Sequence, residues 1–156
     1  MRFTTKTEYG LVCLIYMARR YASHENSLVT IKEIVKNERF SVTYIEKILQ
    51  KLRAAHIVTS HQGNHGGYAL AQHPSQVTLK EIIEALEGGS TFDIPTFGVF
   101  CDPAIRQKIV CTHLSTCGLR PVWRKTKDLL DHFYGSVTLE TIAKEEIEVK
   151  HLVAAG

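Results

Sequence analysis

The chain has 156 residues, 44% of them apolar and 22% charged, with a net charge of +3. That length makes one ordinary domain or one domain with an appendage. The composition excludes a disordered tail and a coiled coil, and no run approaches the ~20 apolar residues of a membrane span. The small total charge hides an asymmetry. Residues 1–73 carry ten basic and five acidic side chains, so the first half is +5 and the remainder −2. A basic half joined to a slightly acidic one suggests an anion-binding module with a second part attached. The N-terminus, Met1-Arg2-Phe3-Thr4-Thr5-Lys6, lacks the apolar run of a signal peptide. The expected compartment is the cytoplasm, where the four cysteines stay reduced and form no structural disulfides.

Helix starts are marked by Ser/Thr-x-x-Glu, in which a hydroxyl and a carboxylate satisfy orphan N–H groups reciprocally. The pattern occurs at Thr5/Glu8, Thr30/Glu33, Thr43/Glu46 and Thr78/Glu81. After the first come Leu11, Leu14, Ile15 and Ala18, spaced as on one helix face, which predicts a helix over residues 6–22. Residues 23–28 read as a polar loop. A short helix over 31–36 and a turn at 37–40 lead to a longer helix over 42–56. Ser41 is its expected N-cap, and Ile45, Ile48, Leu49 and Leu52 lie on its inner face. That pair reads as helix–turn–helix. The β-branched run 57–61 and residues 68–70 flank Gly63-Asn64-His65-Gly66-Gly67, a hairpin with a glycine-rich tip. A hairpin directly after a helix–turn–helix is a wing.

Pro74 and Ser75 open a new segment. Residues 79–87 predict a helix with Ile82, Ile83 and Leu86 inward, ended by Gly88-Gly89. Residues 90–116 show no clean periodicity beyond a turn at 104–109. They carry Pro95, Gly98 and Pro103 and, with Cys117 at their edge, three cysteines. A connection this long inside a compact chain is usually functional or disordered. Pro121 opens a helix over 121–134 that Gly135 closes, with a stripe of Val122, Thr126, Leu129, Leu130 and Phe133. Thr138 caps a last short helix, 139–144, and the rest reads as a frayed tail. The organisation expected is therefore a DNA-binding unit over 1–75, a cysteine loop with dimerisation helices over 76–145, and a tail over 146–156.

A recognition helix offers its N-terminal residues to base edges and phosphates. Here those are Ser41, Thr43, Tyr44 and Lys47, with Lys51 and Arg53 further along. Hydroxyls bond phosphates well, and lysine supplies charge without sequence information. Singly, each reads as a cap or a solvated face. Together with the wing and the basic half, including Arg2, they point to double-stranded DNA. The wing tip offers Gln62, Asn64 and His65 to the minor groove, although its glycines alone are also plain turn chemistry.

Cys101, Cys111 and Cys117 are separated by nine and five residues. Thiolates are soft ligands that suit zinc, copper(I) and iron–sulfur clusters. The paired C-x-x-C of a zinc ribbon is absent, and an uneven set on a Gly/Pro-bearing loop fits a cluster better. Three unrelated cysteines, or a thiol redox switch, are the alternatives. Cys13, among Leu11, Val12 and Leu14, reads as a small core residue.

The opening Met1-Arg2-Phe3-Thr4…Thr7-Glu8-Tyr9-Gly10-Leu11 and Leu14-Ile15-Tyr16-Met17-Ala18 resemble the IscR/NsrR superfamily of bacterial regulators. So do the wing Gly63-x-x-Gly66-Gly67-Tyr68, the run from Val77 to Ile83, Cys111-x5-Cys117 before the next helix, and Val137-Thr138-Leu139. The likeness spans about residues 1–145. It implies a mainly α, winged helix–turn–helix homodimer with a small β-hairpin wing, in which a long C-terminal helix crosses its mate. It further implies a 2Fe–2S or 4Fe–4S cluster on the cysteine loop, sensing iron–sulfur supply, nitric oxide or redox state. Cys101, Cys111 and Cys117 match the cluster cysteines, with a longer gap before Cys111 than the family shows. In the IscR-like branch a histidine follows the last cysteine by three residues, where this chain has Arg120. In the NsrR-like branch a carboxylate near the N-terminus of the other subunit completes the site, and Glu8 stands at that position. Glu8 also reads as the partner of Thr5 in a capping box, and His113 reads as an exposed histidine. The wing departs from the family at Gln62, often arginine, and at His65, often glycine. The expectation is an iron–sulfur-responsive transcription regulator, a repressor, and not an enzyme. The chain shows no HExxH, nucleophile elbow or acid/base pair. The alternative is a cluster-free regulator that senses by thiol oxidation or through a partner protein.

Overall fold

A computed structural model describes residues 4–24, 27–37, 40–88 and 118–144. Arg2, Cys101, Cys111, His113, Cys117 and the tail from residue 145 lie outside the described residues. The elements are helices α1 (Thr5–Ser23), α2 (Ile31–Asn37) and α3 (Val42–Ala54), strands β1 (Val58–His61) and β2 (Gly67–Leu70), and helices α4 (Leu79–Glu87), α5 (Leu119–Ser136) and α6 (Leu139–Ala143). A single 3₁₀ turn, Pro74–Gln76, precedes α4.

One hydrophobic core joins Cys13, Leu14 and Met17 of α1, Ile34 of α2, and Ile45, Ile48, Leu49 and Leu52 of α3 with Val58, Ile82, Leu86 and Leu139. Cys13 is fully buried within it. The strands form an antiparallel hairpin in which Val58 faces Leu70 and His61 faces Gly67. Val29 adds a third rung: its N–H donates to Tyr68 O and Tyr68 N–H donates to Val29 O, both at 2.8 Å. The wing is thereby fixed to the segment entering α2. A second pair of backbone bonds, Leu79 N–H to Val137 O at 2.8 Å and Leu139 N–H to Val77 O at 2.7 Å, zips the start of α4 to the start of α6.

Two of the four expected capping boxes form. Thr30 and Glu33 exchange backbone and side-chain bonds ahead of α2. Thr78 and Glu81 do the same at α4, and α4 ends on Gly88 in the left-handed conformation at φ 90°. The Thr43/Glu46 box does not form, because α3 already starts after Ser41 and Thr43 lies inside its first turn. The Thr5/Glu8 box does not form either. The N-cap of α1 is Thr4, and its side chain makes no local cap bond.

Helix α3 stops at Ala54, two residues before the expected end. Ile57 N–H donates to Leu52 O at 2.9 Å and His56 N–H donates to Arg53 O at 3.0 Å, the paired bonds of a Schellman ending. The left-handed position, usually glycine, is His56 at φ 57°. The turn drives Ile57 into the core, where it is buried beside Leu52. A side chain in that conformation costs roughly 1–2 kcal/mol, partly offset by the greater chain entropy glycine loses. His56→Gly is therefore expected to raise the melting temperature, with a gain of up to about 1 kcal/mol. A thermal melt showing destabilisation would mean that the His56 ring contributes more than its backbone costs.

Helix α5 is longer than expected at both ends, with Gly118 as N-cap and Val137 as C-cap. Pro121 falls within its first turn, where its missing N–H costs no helical bond. Gly135 continues the helix and does not close it. Asp131 fastens α5 to α4, lying 2.8 Å from Lys127 Nζ and 3.4 Å from Lys80 Nζ. The apolar stripe divides: Thr126 and Leu130 are half-buried, whereas Val122, Leu129 and Phe133 face outward.

Candidate nucleic-acid interface

The inner face of α3 is fixed by its buried isoleucines and leucines, so the opposite face is free. Ser41, Thr43 and Lys47 are exposed there. Ser41 occupies the N-cap position, yet its side chain makes no cap bond, so its hydroxyl is not spent on the helix. Lys47 forms no ion pair with a described residue. Tyr44 is different. It is half-buried, with its ring edge-on to Tyr9 at 5.6 Å. Tyr9 in turn stacks on Phe40 at 4.0 Å. This three-ring cluster holds the N-terminus of α3 against the first turns of α1.

The two basic residues further along α3 are occupied. Lys51 Nζ lies 3.4 Å from Leu86 O, capping the C-terminal end of α4. Burial, then repulsion from Lys6, holds its ammonium below the usual lysine range. Arg53 Nη1 donates to Ser60 Oγ at 3.1 Å, tying α3 to the wing. All three cations are exposed, and Lys47 is the one without a described partner. Lys47→Ala is thus expected to lower the slope of log affinity against log salt by about one, while Lys51→Ala leaves the slope and reduces stability. Equal slopes for wild type and Lys47→Ala would place Lys47 off the phosphates.

In the wing, Gln62, Asn64 and His65 are all exposed. Gly63 takes φ 114°, which a side chain would strain, and a Cβ at Gly66 would run into the His61 carbonyl. The glycines build the turn, and the polar residues between them are what the tip presents.

Glu8 sits exposed in the first turn of α1, and its side chain makes no hydrogen bond or ion pair to a described residue. Its expected capping partner, Thr5, leaves it free. The cap of α1 comes instead from Glu87, the last residue of α4. Glu87 Oε1 accepts from Thr4 N–H at 3.2 Å, from Thr4 Oγ1 at 2.7 Å, and from Thr7 Oγ1. Partial burial pushes the Glu87 carboxyl up, but these bonds and the nearby Lys6 charge outweigh it and leave the group below the usual range. Local spacing gives no sign of this contact, since Thr7 and Glu87 are 80 residues apart. The only trace is two threonines one turn apart at a helix start. The other candidate ligands, Cys101, Cys111 and Cys117, and the basic Arg2, lie outside the described residues.

Comparison with known proteins fits this arrangement. A family model described as Rrf2, iron-dependent transcriptional regulator, matches residues 3–145. The chain is 31% identical over 145 residues to the HTH-type transcriptional regulator CymR of Bacillus subtilis, covering 92% of this chain and 90% of that one. It is 37% identical over 87 residues to the HTH-type transcriptional regulator IscR of Cereibacter sphaeroides, covering 56% of each. Among solved structures, CymR of B. subtilis, described as the global cysteine regulator, superposes with a TM-score of 0.69 at 26% identity. That match covers 92% of this chain and 96% of that one.

Proposed function

Since the chain belongs to the Rrf2 family of iron-dependent transcriptional regulators, we propose that it is a homodimeric repressor whose grip on an operator is switched by an iron–sulfur cluster. It is a DNA-binding regulator and not an enzyme, as its relatives are. Among the described residues no helix is long and apolar enough to cross a membrane. Residues 1–75 read the DNA, and residues 76–145 carry the cysteine loop and the dimer contact.

The observation that carries this reading is the placement of Glu8. It is an exposed carboxylate without a described partner, one residue before the tyrosine that supports the recognition helix. With Cys101, Cys111 and Cys117 it makes a donor set that fits a cluster. Three soft thiolates suit iron, and one harder carboxylate gives a bond that is readily displaced. When bound, the cluster supplies a centre that reacts with oxygen, nitric oxide or electrons. The remaining roles belong to the chain. Ser41, Thr43 and Lys47 hold phosphates, Tyr44 fixes the entry angle of α3, and Gln62, Asn64 and His65 meet the minor groove. The outward Val122, Leu129 and Phe133 of α5 pack on a second copy.

The likeness to CymR, described as a cysteine regulator, favours one second reading. In it the same three thiols sense by oxidation, or through a partner protein, and no cluster forms. Visible absorption of anaerobically purified protein separates the two. Thiolate-to-iron bands support the cluster. A colourless protein whose operator binding follows thiol oxidation supports the second reading.

A further inference from the structure

We propose that Glu87 is a latch that transmits the state of the segment beginning at residue 89 to the recognition helix, with the first turns of α1 as the lever. Three consecutive residues of α1 point in three useful directions. Thr7, 1% exposed, faces α4 and donates to Glu87. Glu8 faces outward. Tyr9 stacks on Phe40 and meets the edge of Tyr44 at the start of α3. Whatever moves Thr7 moves Tyr9, because a helical turn is stiff on this scale.

The other end of the lever is equally well placed. Glu87 is the last residue of α4, and Gly88 follows in the left-handed conformation, one residue before the segment that carries the cysteines in sequence. The buried Leu86 side chain lies directly against Gly10, where an added Cβ would clash with it, so α4 packs closely on α1 at this point. Lys51 of α3 caps Leu86 O. The exit of α4, the start of α1 and the recognition helix are thus fastened together within a few residues. A carboxylate at the C-terminal end of α4 is disfavoured by that helix's dipole, whereas at the N-terminus of α1 it is favoured. The contact to α1 is what makes Glu87 acceptable there. A pull on the chain after Gly88 acts first on Glu87, then on Thr4 and Thr7, and through Tyr9 on Tyr44.

This rests on the reading that the cysteine segment does the sensing, by cluster or by thiol. The test compares each protein as purified anaerobically with the same protein treated with an iron chelator and N-ethylmaleimide, Cys13 being buried. Operator affinity and amide hydrogen exchange of α3 are measured in both states. Wild type is expected to change affinity by a factor in the ordinary coupling range of roughly 5–150, with altered exchange at the start of α3. Glu87→Ala is expected to bring that factor below about 3 with the as-purified absorption unchanged. Glu87→Gln, which keeps an acceptor for the threonines, should restore part of it. Tyr9→Leu cuts the lever at its other end and should also flatten the response, which covers the case of Glu87→Ala failing to fold. A lower melting temperature with the wild-type factor intact in Glu87→Ala and Tyr9→Leu makes the contact merely structural and overturns the latch. So does a wild-type α3 that ignores the treatment. Loss of the cluster reading shows separately, as a colourless protein, and leaves these comparisons valid.

Discussion

Leu129→Asp is expected to yield a folded monomer that binds a two-half-site operator at least about a hundredfold more weakly, since linked half-sites gain 10²–10⁴ over single ones. Val122, Leu129 and Phe133 are 53%, 59% and 41% exposed on one 18-residue helix. Single exposed apolar residues are ordinary, but a row at helical spacing is a surface for another helix. Placing an unpaired carboxylate in a buried apolar interface costs several kcal/mol. The inner side of α5 is untouched, because Asp131 still holds Lys80 and Lys127. Leu130→Asp is the contrasting variant. Its side chain is half-buried, so loss of stability should accompany any loss of association. Sedimentation of Leu129→Asp as an intact dimer would move the interface off this stripe.

Cys111→Ser and Cys117→Ser are each expected to abolish the visible bands. Serine oxygen is a hard donor and a poor replacement for a thiolate on iron. Cys117 directly precedes Gly118, the N-cap of α5, in sequence. Cys111 follows at five residues' remove. Cys101 stands behind the longer gap of nine, and Cys101→Ser should be tolerated better. Glu8→Gln differs in kind. It should still assemble a cluster, with shifted absorption and faster loss to oxygen or nitric oxide. Because Glu8 makes no capping bond, this substitution should cost the cluster-free protein no more than the small helix-dipole contribution of an exposed carboxylate, about 0.3–1 kcal/mol. A full-intensity spectrum from both Cys111→Ser and Cys117→Ser would take these thiols out of the ligand set.

What the sequence reveals here is what short range decides. The boxes at Thr30/Glu33 and Thr78/Glu81, the αL ending at Gly88, and the inner faces of α1, α3 and α4 are readable because period and spacing are local properties. The same spacing misleads at Thr5/Glu8 and Thr43/Glu46. At the first, a carboxylate from the end of α4 supplies the cap; at the second, the helix starts earlier. Lys47 and Lys51 look alike in sequence, one turn apart on a basic helix. Both are exposed, and only the approach of α4 shows that Lys51 also meets a carbonyl while Lys47 has no described partner. Tyr44 reads as a DNA-facing hydroxyl, and its ring contact with Tyr9 is a further feature that spacing does not show. The cysteine set and the wing residues are legible as chemistry, because residue type alone suggests thiolate ligation and polar contact. Their partners depend on tertiary and subunit contacts that spacing does not encode.

On the proposed function, the chemistry of the cysteine segment sets the affinity of the winged helix for DNA. The most direct measurement is a titration of operator DNA with one anaerobic preparation, before and after its iron is removed by a chelator, at fixed salt. The two affinities are expected to differ by roughly 5-fold or more, the lower end of ordinary allosteric coupling. Glu8→Gln should fall between the two states. Identical curves before and after iron removal, from a preparation whose cluster bands were present and then lost, would contradict it.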